Sequence, residues 1–369
     1  MKFVLSATTL ALALTAGTAS GQTNILFGSA TTPTSAQNAH GTVPWLEGAG
    51  EVTGGQITYD LQAGGAIVTG DTALTSLRDG LVDGAGIIAT YYPSDLPLNS
   101  LISNLAFLGG DPRATSGAIA ELTLLNCEDC LEEFEFWNIV PFGPYATDPY
   151  SLACRGPVAE LADLRGLRVR VSGSAWSRMA DALGMVPTNM PVGEIYEALQ
   201  RGTVDCTFTG LSLLDTLSLG EVAQHVIDIP VGSLFTPSNL ALNRDFWNSL
   251  PDEHKQALIN STAFAVASTA YGYLEAAEAV RATAEENGIS IEPMTESVSP
   301  VVDEFIASER ASIIEEGMSM GITDIEEIVA KFEELNEKWE GIVASIPETK
   351  EALAEQLDAE IYSNFPSFD

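Results

Sequence analysis

The chain has 369 residues, 46% of them hydrophobic and 18% charged, which allows two or three domains with buried cores and excludes a disordered acidic tail. Its 51 acidic residues against 16 basic ones give a net charge of -35, which repels DNA, RNA and anionic membrane surfaces, so no nucleic-acid partner is expected. None of the lysines follows a glycine, and His40, His225 and His254 are far apart, so a phosphate loop, a His-Glu-x-x-His zinc helix and a hydrolase nucleophile elbow are not expected, nor a metal or cofactor.

The chain opens with Lys2, an apolar run over residues 3–13 and small residues over 16–21. That is the order of a secretory signal peptide, cut after Ala19 or Gly21; the run is shorter than the roughly 20 apolar residues of a membrane span. Strands are expected at 24–28 and 56–62, a helix at 71–77 closed by Gly80, and a strand at 82–90 before the loop Tyr91-Tyr92-Pro93. A second α/β unit follows. It has a helical turn at 157–164, a strand at 167–171, a helix at 174–183 stopped by Gly184, a helix at 194–200 and a strand at 204–208. A helix at 212–222 and a strand at 239–243 come next. Pro251 opens a helix reaching about Asn287, long enough to lie across two lobes at about 1.5 Å per residue; helices at 300–317 and 323–343 complete the chain. Strands alternating with helices predict an α/β fold with largely parallel sheets. Residues 77–83 echo residues 199–205: both read as a helix end, a glycine cap and a strand opening Val-Asp, as two similar lobes would require.

Export places the four cysteines in an oxidising compartment. Cys127 and Cys130 flank Glu128 and Asp129, whose charges raise thiol pKa rather than activate a thiolate. A structural disulfide is therefore expected there, leaving Cys154 and Cys206 for each other, although four cysteines permit three connectivities.

Six of the eleven arginines fall between Arg155 and Arg201. Arg168 and Arg170 alternate with Leu167, Val169 and Val171 on one strand, so each is either a surface or salt-bridged group or sits at the strand end facing a cleft. A guanidinium there matches a carboxylate through parallel hydrogen bonds. Ser174 opens the next helix, whose N-terminus favours an anion. Trp176 in its first turn is either core or a stacking surface. Phe208 and Thr209 end the following strand, where α/β proteins bind ligands.

Three ordered blocks at these positions resemble a family. Ala162-Asp163-Leu164-Arg165-Gly166-Leu167-Arg168-Val169-Arg170-Val171 is similar to the Asp-Leu-Lys-Gly-Leu-Lys-x-Arg signature of the substrate-binding proteins of TRAP transporters (DctP type). Ala182-Leu183-Gly184-Met185-Val186-Pro187 resembles their Leu-Gly-Ala-x-Pro. Residues 194–205, from Glu194-Ile195-Tyr196 to Thr203-Val204-Asp205, resemble their Glu-x-Tyr-x-Ala-Leu-Gln-x-Gly-x-Val-Asp. The resemblance implies a two-lobe periplasmic-binding-protein fold, type II-like, with a long helix spanning both lobes. Lobe I would hold residues 22–147 and about 236–275; lobe II would hold 148–235 and about 276–369 with the C-terminal helices; residues 1–21 would be the signal peptide. It implies a periplasmic protein that captures a small organic acid and delivers it to the small and large membrane subunits of a TRAP permease.

In the family, the arginine of the Arg-Val ending pairs with the ligand carboxylate; that is Arg170 here. Some members carry a second arginine shortly before the first block, but residues 145–150 have none. Where sialic-acid binders often carry asparagine, this chain has Thr209, after Phe208. These departures imply a smaller or more aromatic ligand with one carboxylate. Thr31 and Tyr91 follow first-lobe strand ends facing the cleft, and Phe235 and Asn239 lie near the crossing back to lobe I. A Cys154–Cys206 pair also resembles a subgroup described as C4-dicarboxylate binders, whose members take varied ligands. A ligand sensor presenting its closed form to a membrane signalling protein would share these lobes, and an exported enzyme would need a nucleophile, base or metal cluster in the same cleft.

Overall fold

In a computed structural model, which describes residues 21–229, 232–365 and 368, the first expected strand forms as β1 (Thr23–Gly28), with Ile25 and Phe27 wholly buried. The expected signal segment lies outside the described residues. After β1 come a π-helical turn at Gln37–Thr42, α1 (Val43–Val52), β2 (Ile57–Gln62), α2 (Ala73–Arg78), β3 (Gly84–Ile87) and a 3-10 turn at Ala89–Tyr91. Helices α3 (Pro97–Ser103), α4 (Pro112–Leu125) and α5 (Glu128–Phe136) lead into β4 (Ile139–Ala146). The chain then crosses to a second sheet. There it forms β5 (Tyr150–Cys154), α6 (Leu161–Leu164), β6 (Arg168–Val171), α7 (Ser174–Ala182), β7 (Val186–Asn189), α8 (Ile195–Arg201), β8 (Cys206–Gly210), α9 (Ser212–Thr216) and β9 (His225–Asp228). It returns with β10 (Phe235–Asn243), α10 (Arg244–Ser249) and α11 (Asp252–Thr283), then adds β11 (Ser290–Pro293), α12 (Ser299–Ser319), α13 (Ile325–Ser345) and α14 (Lys350–Glu360).

Lobe I is built on the sheet β2-β1-β3-β10-β4 and lobe II on β11-β9-β5-β8-β6-β7. Both sheets are mixed rather than largely parallel. The inner strands β1 with β2 and β3, and β6 with β7 and β8, run parallel, but β10 and β5 are antiparallel to their neighbours. The cause is the double crossing: β4 to β5 and β9 to β10 carry the chain between lobes, and a strand entering from the other lobe runs back along its neighbours. Cys154 sits directly opposite Cys206 in the β5–β8 register, and a disulfide joins them; Cys127 and Cys130 form the second.

The internal echo is structural. Gly80 and Gly202 both take φ near +70° after a helix, the left-handed conformation that glycine tolerates. Beyond them, the Asp83 carboxylate accepts from the Leu26 N–H and the Asp205 carboxylate from the Arg168 N–H, each at 2.9 Å. The two aspartates thus fasten equivalent strands, β1 and β6, in the two lobes.

Helix α11 contributes Ala257 and Leu258 to a lobe I core and Ala277 and Val280 to a lobe II core, so it spans both. A second helix does the same. Val302 and Phe305 of α12 pack in lobe II, whereas Ile313 packs with α3, α4 and α13. Of the residues after about 276, β11 pairs with the lobe II sheet and the first half of α12 packs on it, whereas α13 and α14 bury Phe332, Trp339, Leu353 and Leu357 against α4. Gly117 of α4 leaves room for the Trp339 ring, which a Cβ would strike.

Candidate functional site

Strand β6 carries two arginines on one face, and their positions along it separate their roles. Arg168, at the start, is half-exposed and pairs with Asp205 at 2.8 Å. Arg170 lies further on, where β6 ends at the cleft, and is 0% exposed. Its Nε donates to the Met190 carbonyl at 3.0 Å and Nη2 to the Tyr91 hydroxyl at 3.3 Å. Nη1 is buried with no hydrogen-bond partner among the described residues. A buried cation with an unmet donor is costly unless an anion completes it.

Tyr91, Tyr145 and Tyr150 gather around this guanidinium, with Tyr273 stacked on Tyr145 at 5.7 Å between ring centroids. Burial pushes the Tyr145, Tyr150 and Tyr273 hydroxyls up in pKa, while the Arg170 charge pulls the other way on Tyr145 and Tyr150. All three remain neutral phenols, able to donate to an anion. Tyr273 reaches the site from α11 and its hydroxyl donates to Gln37 Oε1 at 3.3 Å; Gln37 Nε2 in turn donates to Thr31 Oγ1 at 2.6 Å. The π-helical turn thus links the end of β1 to the phenol cluster. At the crossing between β4 and β5 sits Asp148, 1% exposed, accepting from Ser212 Oγ at 2.5 Å and Ser212 N–H at 3.2 Å. Burial pushes its carboxyl up to about 6 against the pull of these donors.

Of the residues expected from sequence, the structure brings Arg170 and Tyr91 into contact and ties Thr31 to the cluster through Gln37 and Tyr273. Thr209 lies on β8 beside Thr207, the register partner of Arg170, and shares its face by alternation. Phe208 therefore faces the other way, into the lobe II core, where Trp176 packs on it at 5.3 Å. Trp176 also backs Tyr150 at 4.8 Å, so it supports the cluster from behind. Phe235 is core, stacked on Phe332 at 5.8 Å. Asn239 is buried inside lobe I against Gly41 and Gly86. Ser174 donates to Glu316, and the α7 terminus is already occupied: Asn189 Oδ1 accepts from Gly173 N–H and Asn104 Oδ1 from Ala175 N–H. Side-chain amides from two other elements thus take two of the N–H donors at the helix end that was expected to share an anion with Arg170. Tyr150, Tyr145, Tyr273, Gln37 and Asp148 were missed. Their one sequence signal was the tyrosine-rich stretch 145–150, noted only for lacking an arginine.

The lobes meet around the cluster. Thr90 Oγ1 lies 3.0 Å from Ser172 Oγ, Thr32 Oγ1 donates to the Thr216 carbonyl at 3.2 Å, and Val192 N–H donates to the Tyr91 hydroxyl at 2.9 Å. Beside Tyr91 a cavity of about 530 Å³ opens at the lobe junction, lined by Asp71, Asn104, Ser174, Arg178, Met190 and Glu316 among others; Arg170 is not among its lining residues and is joined to two of them, Tyr91 and Met190, by hydrogen bonds. Gly70 closes against Pro191, whose Cβ would stand 2.7 Å from any Cβ placed there. Gly70→Ala is expected to fold but to resist closure, lowering solute affinity about tenfold or more through overpacking at the seam. Calorimetry and small-angle scattering of the saturated protein check it; unchanged affinity would count against closure at this seam.

A Gly-x-Ser-x-Gly pattern does occur, at Gly317–Gly321. It ends helix α12 rather than turning from strand to helix, and Ser319 Oγ donates to the Glu316 carbonyl, so it lacks the geometry of a nucleophile elbow. Among the described residues no group of three or more His, Cys, Asp or Glu is arranged to hold a metal, and no helix is long and apolar enough to cross a membrane.

Comparison with known proteins agrees with this geometry. Residues 27–309 match the family model DctP, bacterial extracellular solute-binding protein, family 7. The C4-dicarboxylate-binding periplasmic protein DctP of Rhodobacter capsulatus is 30% identical over 162 residues, 44% of this chain and 45% of that protein. A monocarboxylate 2-oxoacid-binding periplasmic protein of Nostoc is 23% identical over 219 residues, 58% of each. The chain thus matches about half the length of these curated relatives. A marine metagenome TRAP solute-binding protein specific for aromatic acid ligands superposes with a TM-score of 0.75 at 21% identity, covering 86% of this chain and 99% of that one. A TRAP solute-binding protein of Rhodoferax ferrireducens with copurified benzoate also gives 0.75, at 18% identity, covering 87% and 99%.

Proposed function

The chain belongs to family 7 of the bacterial extracellular solute-binding proteins, and from that membership we propose that it captures a small organic acid outside the cytoplasm by its carboxylate. Arg170 is the docking group, and the single observation that carries the reading is its buried Nη1 without a partner among the described residues. A carboxylate placed there completes the guanidinium, and the phenols of Tyr91, Tyr145 and Tyr150 are placed to take its remaining lone pairs. Lobe closure across the Tyr91–Val192 and Thr32–Thr216 bonds excludes water, which strengthens the ion pair. Thr31 and Thr209 line the walls; Trp176 and Phe208 hold Tyr150 in place. The closed protein then releases its acid to a TRAP-type permease of small and large membrane subunits, without chemical change to the solute. The names of the Rhodobacter and Nostoc relatives and the benzoate of the Rhodoferax protein support a carboxylic acid as the class.

The test is thermal unfolding of the mature protein against organic acids and their amides, after mass spectrometry of whatever the denatured protein releases. At least one acid should raise the midpoint by several degrees and its amide should not. Equal shifts with acid and amide would remove the ion pair from the mechanism.

A further inference from the structure

Resting on that carboxylate reading, we propose that the chamber counts charge: its solute is a monocarboxylate with an uncharged remainder, and dicarboxylates are rejected. Around the cleft the other arginines are already neutralised. Arg168 pairs with Asp205, Arg281 with Asp228, and Arg178 with both Glu309 and Glu316. Among the described residues Arg170 alone reaches the phenol cluster with an unmet donor. The other polar groups around it include the phenols of Tyr91, Tyr145 and Tyr150. They can satisfy lone pairs but add no positive charge.

A negative charge stands on the other side. The Asp148 carboxylate is buried two residues before Tyr150, and its field reaches Tyr150, Tyr273 and Arg281, the last already paired with Asp228. Its own partners, Ser212 Oγ and N–H, are uncharged. Above neutral pH the Arg170–phenol cluster therefore holds, among the described residues, one guanidinium with an unmet donor and one carboxylate hydrogen-bonded only to uncharged groups. The first carboxylate of a ligand meets Arg170. A second would be stripped of water near Asp148 with no unpaired cation among the described residues to receive it, the arrangement that buried charge tolerates least. Tyr150 and Asp148 are thus specificity-determining residues: one supplies a donor without charge, the other a charge of the wrong sign for a dianion.

The experiment is calorimetric titration at pH 8 with matched pairs, benzoate against phthalate and butyrate against succinate, on protein shown by mass spectrometry to be free of bound acid. The monocarboxylate of a pair should bind about tenfold or more tightly than its dicarboxylate partner, since a like-charge repulsion of little more than about 1 kcal/mol in a desolvated site suffices for that ratio. Asp148→Asn should narrow that ratio by favouring the dicarboxylate, a change that general loosening of the hinge would not produce. The wild-type ratio decides even if that variant fails to fold. A dicarboxylate that binds as well as its partner overturns the charge count and leaves the carboxylate function standing. No binding by either member of any pair overturns the carboxylate function itself.

Discussion

Arg170→Ala loses solute affinity by on the order of 2–5 kcal/mol, roughly 30- to 5,000-fold, as truncation of a buried charge pair does elsewhere. The same substitution leaves the empty protein as stable as before, or more so. The guanidinium is fully buried with Nη1 unmet and, among the described residues, has a carbonyl and phenols but no carboxylate as partners, so its removal relieves a desolvated charge. A residue that merely held the fold would behave in the opposite way, losing stability first and affinity in consequence. Calorimetry with the acid released by the wild-type protein and melting of the empty variant separate the two. Affinity retained within about threefold would place the carboxylate elsewhere. Arg168→Ala is the control: its partner Asp205 is at the far end of the strand and the pair is half-exposed, so little affinity should follow it.

The separation of these two arginines shows what the sequence could and could not carry. Period-2 alternation put both on one face of β6, and it was right. It does not say which end of a strand meets the cleft; that depends on the neighbouring register, where Arg170 lies beside Thr207 of β8. Local signals also served the echo, since a helix end followed by a positive-φ glycine is written in four or five residues. The stretch from 97 to 146 was opaque for a physical reason. Helix α4 is buried on nearly every side, so polarity carries no period along it. Strand β4 contains Pro141 and Pro144, which argue against a strand in sequence but are tolerated because β4 is the edge of its sheet. The phenol cluster was out of reach because its members come from four elements: the 3-10 turn, β4, β5 and α11. The start of α7 carries the local chemistry of an anion site, and Asn104 and Asn189, distant in sequence, take two of its N–H donors.

Asp148→Asn should remove a specific part of the protein's pH dependence. Burial pushes the Asp148 carboxyl up to about 6, against about 3.9 for an unfolded aspartate. The fold therefore holds this proton more tightly than the unfolded chain does. Its stabilising contribution is complete below about pH 4 and is lost as pH rises through about 6, a loss on the order of 3 kcal/mol. The asparagine variant can keep an oxygen for Ser212 and has no proton to lose. Any cost of placing its amide group is the same at every pH. The difference in unfolding free energy, variant minus wild type, should therefore climb by on the order of 3 kcal/mol between pH 4 and pH 8, most of it between 4 and 6. Taking the difference cancels the titration of the other carboxylates of so acidic a chain. Urea unfolding of both proteins across that range measures it. A flat difference would mean that Asp148 ionises in the closed protein as freely as in water, and that the crossing between β4 and β5 is wetter than its burial implies.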